Sequence, residues 1–198
     1  MGEGKVYLVG AGPGDPGLIT VKGLACLQQA DTVIYDRLVS QGLLDYVPPG
    51  CELIARGEHG QDQSALDRLM ADRARQGQTV VRLKGGDPFL FGRGGEEAGF
   101  LAAAGIPFEV VPGVTSALAV PAYAGIPLTH RCLSSAVGIV TGHEAGDKPG
   151  PAVNWDALSR AVDTLVILMG LKNLPLIAER LLKSGKPVDT PVAVVCRG

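Results

Sequence analysis

The sequence predicts an α/β protein made of two α/β halves, the first carrying a parallel sheet. Three observations lead there. Short β-branched runs alternate with stretches of helical apolar spacing, the pattern left by parallel strands joined through crossover helices. The core stock is aliphatic: hydrophobic residues are 46% of the 198 residues and aromatic ones only 5%. Glycine (28) and proline (14) are abundant without any repeat, well above their usual combined share of roughly 12%. A fold with many tightly shaped loops uses them that way.

Strands are expected at 5–9, Thr32–Tyr35, Glu52–Ala55, 79–83 and Phe108–Val111. A helix follows the first strand from about Thr20, whose hydroxyl can cap it. Ser64 with Asp67 three residues on reads as a capping-box-like start, and Leu66, Leu69, Met70 and Ala74 then share one apolar face until Gly77 ends the helix. A further helix is expected over 95–104, stopped by Gly105 and Pro107, with Glu96 and Glu97 in a first turn that favours negative charge. The character changes at Pro112-Gly113, which divides the chain into an N-terminal domain, 1–113, and a C-terminal domain, 114–198. In the second, the small-residue stretch 114–124 precedes strands at 136–141, 164–169 and 191–196, with helices over 156–160 and 174–184. The glycine- and proline-rich segment 144–153 reads as a surface loop.

Composition removes several function classes. Lys and Arg number 18 against 20 Asp and Glu, a net charge of −2, so neither a nucleic acid nor an anionic membrane is the expected partner. The longest apolar runs fall far short of the roughly 20 residues of a membrane span. The N-terminus runs straight into a strand with no signal-peptide core, so a cytoplasmic location is expected. The four cysteines (Cys26, Cys51, Cys132, Cys196) lack metal or disulfide spacing and the three histidines are scattered, so no metal is expected. A small-molecule enzyme fits best.

The chemistry lies in two glycine loops. After the first strand, Gly12–Gly17 satisfies GxGxxG, and Asp36 follows at about the distance of the acid in a dinucleotide fingerprint. That motif needs a helix opening inside the glycines, with free N–H groups facing a pyrophosphate. Pro13 and Pro16 delete two of those donors, and Pro16 disfavours helix at Asp15. A rigid loop for another ligand is therefore favoured over a nicotinamide site, with a plain structural loop as the other reading. The fourth strand runs into Lys84-Gly85-Gly86-Asp87-Pro88, then Phe91-Gly92-Arg93-Gly94-Gly95-Glu96-Glu97. The Gly-Lys-Ser/Thr end of a nucleotide-hydrolysing loop is missing. Glycines here permit close backbone approach to a ligand, and loops at the carboxyl ends of parallel strands are where such sheets bind.

Taken in order, Gly10–Pro16, Tyr35–Val39, Arg82–Phe89, Phe91–Glu97, Val111–Ser116, Pro127–Arg131, Thr141–His143 and Met169–Leu171 resemble the tetrapyrrole methylase family, over essentially the whole chain. The Tyr35–Val39 and Phe91–Glu97 blocks are closest to the branch acting on uroporphyrinogen III. The resemblance implies a homodimer of two-domain α/β subunits, with a parallel sheet in the N-terminal domain and a mixed sheet in the C-terminal one. It implies S-adenosylmethionine as methyl donor, S-adenosylhomocysteine as its product, and no metal. The expected reaction is C-methylation of uroporphyrinogen III at two ring carbons, giving precorrin-2 for the sirohaem or cobalamin branch. The alternatives are methylation of a later corrin precursor, an NAD-dependent oxidoreductase built on Gly12–Gly17, and a non-catalytic binding protein.

Site residues follow from the same resemblance. Pro13, Gly85, Gly86, Asp87, Leu90, Thr115, Ser116, Met169 and Gly198 are the expected contacts of the methyl donor. Arg37, Arg131 and His143 are the expected contacts of a substrate rich in carboxylates, for which the bidentate arginine fork is suited. Asp36 matches the family's proton acceptor, with Arg93 and Glu96 as further catalytic candidates. A guanidinium is too weak an acid to serve readily as a base, so Arg93 reads as a carboxylate clamp and charge stabiliser. The chain departs from the family twice. A Gly-Lys pair after the third strand is here Gly57-Glu58, leaving Arg56 or His59 to replace the lysine. The family also continues beyond Gly198, so a shortened second domain is expected.

Overall fold

A computed structural model describes residues 4–56, 62–143 and 153–196. The chain divides into two compact units, Met1–Ser116 and Ala117–Gly198.

In the first unit, β1 (Lys5–Gly10), β2 (Thr32–Tyr35), β3 (Glu52–Ala55), β4 (Thr79–Lys84) and β5 (Phe108–Val111) form one all-parallel sheet in the order β3-β2-β4-β1-β5. Successive side chains alternate between faces, and both faces are covered. Val6, Leu8, Ile34 and Val80 pack under α2 (Gln63–Arg75) and α3 (Gly94–Ala103), which contribute Leu66, Met70 and Leu101. Val9, Val33, Val81 and Leu83 face α1 (Val21–Leu27) and Leu43 of a 3-10 segment, Gln41–Tyr46. Each such fully buried aliphatic side chain contributes about 1.5–3 kcal/mol relative to exposure.

The helix starts follow local chemistry. A 3-10 turn, Pro16–Leu18, is capped by Asp15, and α1 begins only after Thr20, whose Oγ1 accepts the Gly23 N–H at 3.0 Å. The expected Thr20 cap is therefore present, and no helix opens inside the glycines. For α2 the expected Ser64 start is displaced. Asp62 caps instead, its Oδ1 accepting the Ala65 N–H at 2.7 Å. Aspartate caps as well as serine, and the earlier start leaves Asp67 buried rather than in a capping box.

In the second unit, β6 (Val137–Thr141) and β7 (Thr164–Leu168) pair in parallel, with α5 (Trp155–Ala161) and α6 (Leu174–Lys183) packing on a core of Val140, Val153, Trp155 and Ile177. Asn154 caps α5 through the Ala157 N–H at 3.1 Å. The helix α4 (Ser116–Tyr123) lies in the small-residue stretch, with Pro121 inside it. The strand expected at 191–196 is not formed. None of the described residues pairs with that segment, and Val192, Val194 and Val195 are exposed. Alternating valines make a strand only where a neighbouring ladder satisfies the backbone. Among the described residues the second sheet is thus two parallel strands rather than mixed. Of the loop expected at 144–153, only Val153 is described.

One surface cluster ties the first sheet to α1. Glu109 on β5 accepts Lys5 Nζ of β1 at 2.6 Å and also pairs with Lys22 of α1. The hydrogen bonds from Lys22 and then Lys5 hold the Glu109 carboxyl at about 2. A carboxyl held below its unfolded value, about 4.3, adds stability that is complete above that value and is lost as pH falls further. Glu109→Gln should therefore flatten the dependence of the urea midpoint on pH between about 4.3 and about 2. Equal slopes in variant and parent would contradict the assignment.

Candidate functional site

The connection leaving β2 runs to β3 on one side, and that leaving β4 runs past β1 to β5 on the other, although β2 and β4 are neighbours. Open parallel sheets take ligands at the carboxyl ends of strands whose connections diverge in this way. Asp36 and Arg37 follow β2 at this point, and Gly85-Gly86-Asp87 follows β4.

Three loops meet beside it because glycine lets them. A Cβ on Gly10 would lie 2.5 Å from the Gly113 backbone and 2.6 Å from the Gly86 carbonyl oxygen. Gly86, at φ +66°, donates to the Gly12 carbonyl at 2.7 Å and accepts from the Gly12 N–H at 3.3 Å. Asp87 locks the arrangement: Oδ1 accepts the Phe89 N–H at 2.8 Å and Oδ2 the Gly113 N–H at 3.0 Å, joining the loops after β4 and β5. In this structure Asp87 thus shapes the loops. Pro13, Gly85, Gly86, Leu90, Thr115 and Ser116 are all half-buried on these same three loops. Just beyond, Phe91 (φ 53°) and Arg93 (φ 58°) adopt the left-handed region without being glycine. Such residues cost roughly 1–3 kcal/mol each and concentrate at functional sites.

Beneath the loops lies a buried charge network that the sequence motifs do not announce. Arg82 is 0% exposed, Glu97 0% and Lys84 1%. Glu97 Oε1 accepts from Arg82 Nε at 3.1 Å, and Lys84 Nζ lies 2.9 Å from each Glu97 carboxylate oxygen. Arg82 Nη1 donates to the carbonyls of Ile34 and Leu83, both at 3.3 Å, and its Nη2 reaches Asp36 Oδ1 at 2.5 Å. Arg56 Nη1 stands 3.5 Å from the same Oδ1, while its Nη2 donates to Gln63 Oε1 at 3.0 Å. Gln63 Nε2 closes the ring onto Asp67 at 3.0 Å and Glu97 at 3.3 Å. Burial, and next the Arg82 charge, push the Lys84 ammonium below the usual lysine range, with Glu97 opposing. Burial likewise raises the Asp67 carboxyl.

Arg93 and Glu96, one helical turn apart, are exposed and paired. Arg93 Nε lies 3.0 and 3.1 Å from the two Glu96 oxygens and Nη2 lies 2.5 Å from Oε2. The Arg93 hydrogen bond holds the Glu96 carboxyl below its usual range, which weakens it as a base. Nη1 of Arg93 donates no hydrogen bond among the described residues. Arg37 is exposed. Arg131, His143 and Met169 belong to the second unit. Arg131 is exposed in the turn after His130. The His143 N–H donates to Thr141 Oγ1 at 3.2 Å beyond β6. Met169 leaves β7 at φ 56° and is 56% exposed. Asn173 Nδ2 donates to the Gly142 carbonyl at 2.8 Å, joining the β6 and β7 ends. Gly198, Glu58 and His59 lie outside the described residues. Of the two cations considered as replacements for the lysine, Arg56 stands beside Asp36.

The description of the tetrapyrrole (corrin/porphyrin) methylases matches residues 5–198. The chain belongs to this family. A uroporphyrinogen-III C-methyltransferase of Priestia megaterium is 52% identical over 97% of this chain and 82% of its own. A uroporphyrin-III C-methyltransferase of Thermus thermophilus, solved complexed with S-adenyl homocysteine, is 45% identical with a TM-score of 0.78, over 92% of this chain and 78% of that one. A solved cobalt precorrin-4 methyltransferase is 37% identical with a TM-score of 0.81, over 91% of this chain and 75% of that one. The α/β fold with its parallel sheet is thus that of the tetrapyrrole methylases, and the dinucleotide reading of Gly12–Gly17 is not favoured. Among the described residues, no group of three or more His, Cys, Asp and Glu is placed to hold a metal. No helix among them is long and apolar enough to cross a membrane.

No sequence pattern placed Arg82, Lys84, Glu97, Gln63 and Asp67 together in a buried network. The signal was available on β4, where Val80, Arg82 and Lys84 share one face of a central parallel strand that should be apolar throughout. Two buried cations there demand an anion from the covering helix. Glu97→Ala, which leaves the buried Lys84 without its anion and Arg82 with Asp36 alone, should cost about 3–5 kcal/mol in urea unfolding. A loss no larger than that of an exposed glutamate would refute the burial.

Proposed function

We propose that this chain transfers methyl groups from S-adenosylmethionine to two ring carbons of uroporphyrinogen III, giving precorrin-2, and that it acts as a cytoplasmic homodimer. The carrying observation is its 52% identity, over 97% of its length, to a relative bearing that name. The site supports it. The interlocked loops leave no room for a side chain at Gly10 or Gly113, and Gly86 turns between them at positive φ. Their backbone N–H and C=O groups and the half-buried Pro13 and Leu90 suit a ligand with an ammonium, a carboxylate and a flat apolar base. Gly85, Gly86, Asp87, Thr115 and Ser116 in the first unit, and Met169 in the second, are the remaining contacts we assign to it among the described residues.

When bound, that donor supplies an electrophilic methyl on a sulfonium. The chain's own task is alignment and proton handling. The Asp36 carboxylate accepts a pyrrole N–H proton, which enriches the ring carbon whose electron pair forms the new C–C bond as the S–C bond breaks. Arg93 has its Nε edge set by Glu96, leaving Nη1 to meet a substrate carboxylate. Arg37, Arg131 and His143 provide further polar contacts to the substrate's acid groups.

Anaerobic incubation with uroporphyrinogen III and S-adenosylmethionine, read by mass spectrometry, should show a gain of two methyl groups. Loss of a general base costs about 100–10,000-fold, so Asp36→Ala should lose turnover by that order while still binding S-adenosylhomocysteine. Arg93→Ala should raise the KM for the tetrapyrrole. No methyl gain with the donor bound would overturn the substrate, and binding of a nicotinamide cofactor without the methyl donor would overturn the reaction class.

A further inference from the structure

Asp36 contacts two cations, and both fall on the same oxygen. Arg82 Nη2 lies 2.5 Å and Arg56 Nη1 3.5 Å from Oδ1, while among the described residues Oδ2 takes no hydrogen bond. One oxygen is anchored and the other is left over. The anchor is itself fully tied. The Arg82 guanidinium spends Nε on Glu97, Nη1 on two main-chain carbonyls of β2 and β4, and Nη2 on Asp36. With every edge engaged and no exposure to water, it has no second position to swing into.

We infer that Arg82 is a positioning residue for the methyl-transfer reaction: clamped by Glu97, it holds Asp36 by Oδ1 and so leaves Oδ2 to take the substrate proton. This rests on the reading of Asp36 as proton acceptor. Glu97 is shared between Arg82 and Lys84, so the two buried cations are balanced by Glu97 and the half-buried Asp36. Lys84, whose ammonium burial disfavours, lies 2.9 Å from both Glu97 oxygens and shares Oε1 with Arg82. Gln63 bonds Glu97 and Asp67 while accepting from Arg56, so both cations on Oδ1 are referred to the same frame on α2 and α3. Buried ion networks are often replaceable by apolar residues without loss of stability. Such a network is better understood by what it aims, and here the one contact leading out of the core is Asp36.

The test is a double-mutant cycle on the full chain, read in single turnover with uroporphyrinogen III and S-adenosylmethionine. Arg82→Lys keeps the charge but has no fork to reach Glu97 and Asp36 together. Misplacement of a reacting group by about an ångström costs roughly 100-fold, so a fall in rate of that order is expected, with both KM values unchanged. In an Asp36→Asn background the same substitution should have no further effect. If Arg82→Lys does not unfold cooperatively, Glu97→Gln takes its place in the cycle and should show the same dependence on Asp36. Losses that multiply, or a change confined to KM, would overturn the role of Arg82 while leaving Asp36 as the base. Full turnover by Asp36→Asn alone would overturn the reading of Asp36, and the inference with it.

Discussion

Arg82, Lys84 and Glu97 lie out of water between β4 and α3, and much of the first unit's arrangement follows from that single fact. A lone buried charge is costly enough to reorganise its surroundings. Here the cost is met by placing Glu97 in the first turn of α3, over the carboxyl half of β4. That requirement fixes where α3 starts, and therefore how the chain must leave β4. The strained turn at Phe91 and Arg93 lies within this short path. Arg82 draws in Asp36 after β2, Asp36 in turn pairs with Arg56 at the end of β3, and Gln63 of α2 donates to Glu97. A network seated in the sheet thus reaches the carboxyl ends of β2, β3 and β4.

Where the glycine loops meet beside it, no ion pair is made among the described residues. Gly10, Gly86 and Gly113 bring three main chains into contact, and Asp87 bonds two of the loops through backbone N–H groups. Rigidity there comes from close approach, and at Asp36 from ion pairing. Both devices serve catalysis by alignment, in which little chemistry is asked of the protein beyond holding partners in line and moving a proton. Arg93 and Glu96 stand outside both devices, exposed and mutually paired, in keeping with a clamp that exchanges partners with solvent and substrate.

The strand positions in the first unit were legible because each is a short β-branched run bounded by turn residues, and burial on both faces leaves few other solutions. Thr20 was legible as a cap for the same local reason. The Asp62 cap was not, since Asp62 and Ser64 offer the same oxygen to neighbouring N–H groups and only packing chooses between them. The segment 191–196 carries the right alternation but no pairing partner among the described residues, and no local pattern encodes a missing neighbour. Asp36 and the glycine loops stood out by residue type and motif. Glu97 did not, because a glutamate in a first helical turn is ordinary on a surface, and its burial follows from the register of β4 against α3. Asp87 stood out as a ligand contact by motif, and its hydrogen bonds add a loop-shaping part that no motif encodes.

The central claim is that the buried charges aim Asp36 rather than stabilise the fold, and a chain in which they are replaced together tests it most directly. Arg82→Met, Lys84→Met and Glu97→Leu combined removes both buried cations together with the carboxylate between them, and such replacements are commonly neutral or stabilising. Unfolding by urea and binding of S-adenosylhomocysteine would be measured alongside methyl transfer on that one variant. If the buried charges aim Asp36, this variant keeps its urea midpoint and its binding while its rate of transfer collapses. Turnover within about twofold of the parent, far from the roughly 100-fold loss that misplacement brings, would show that Asp36 needs no such support and would contradict the account.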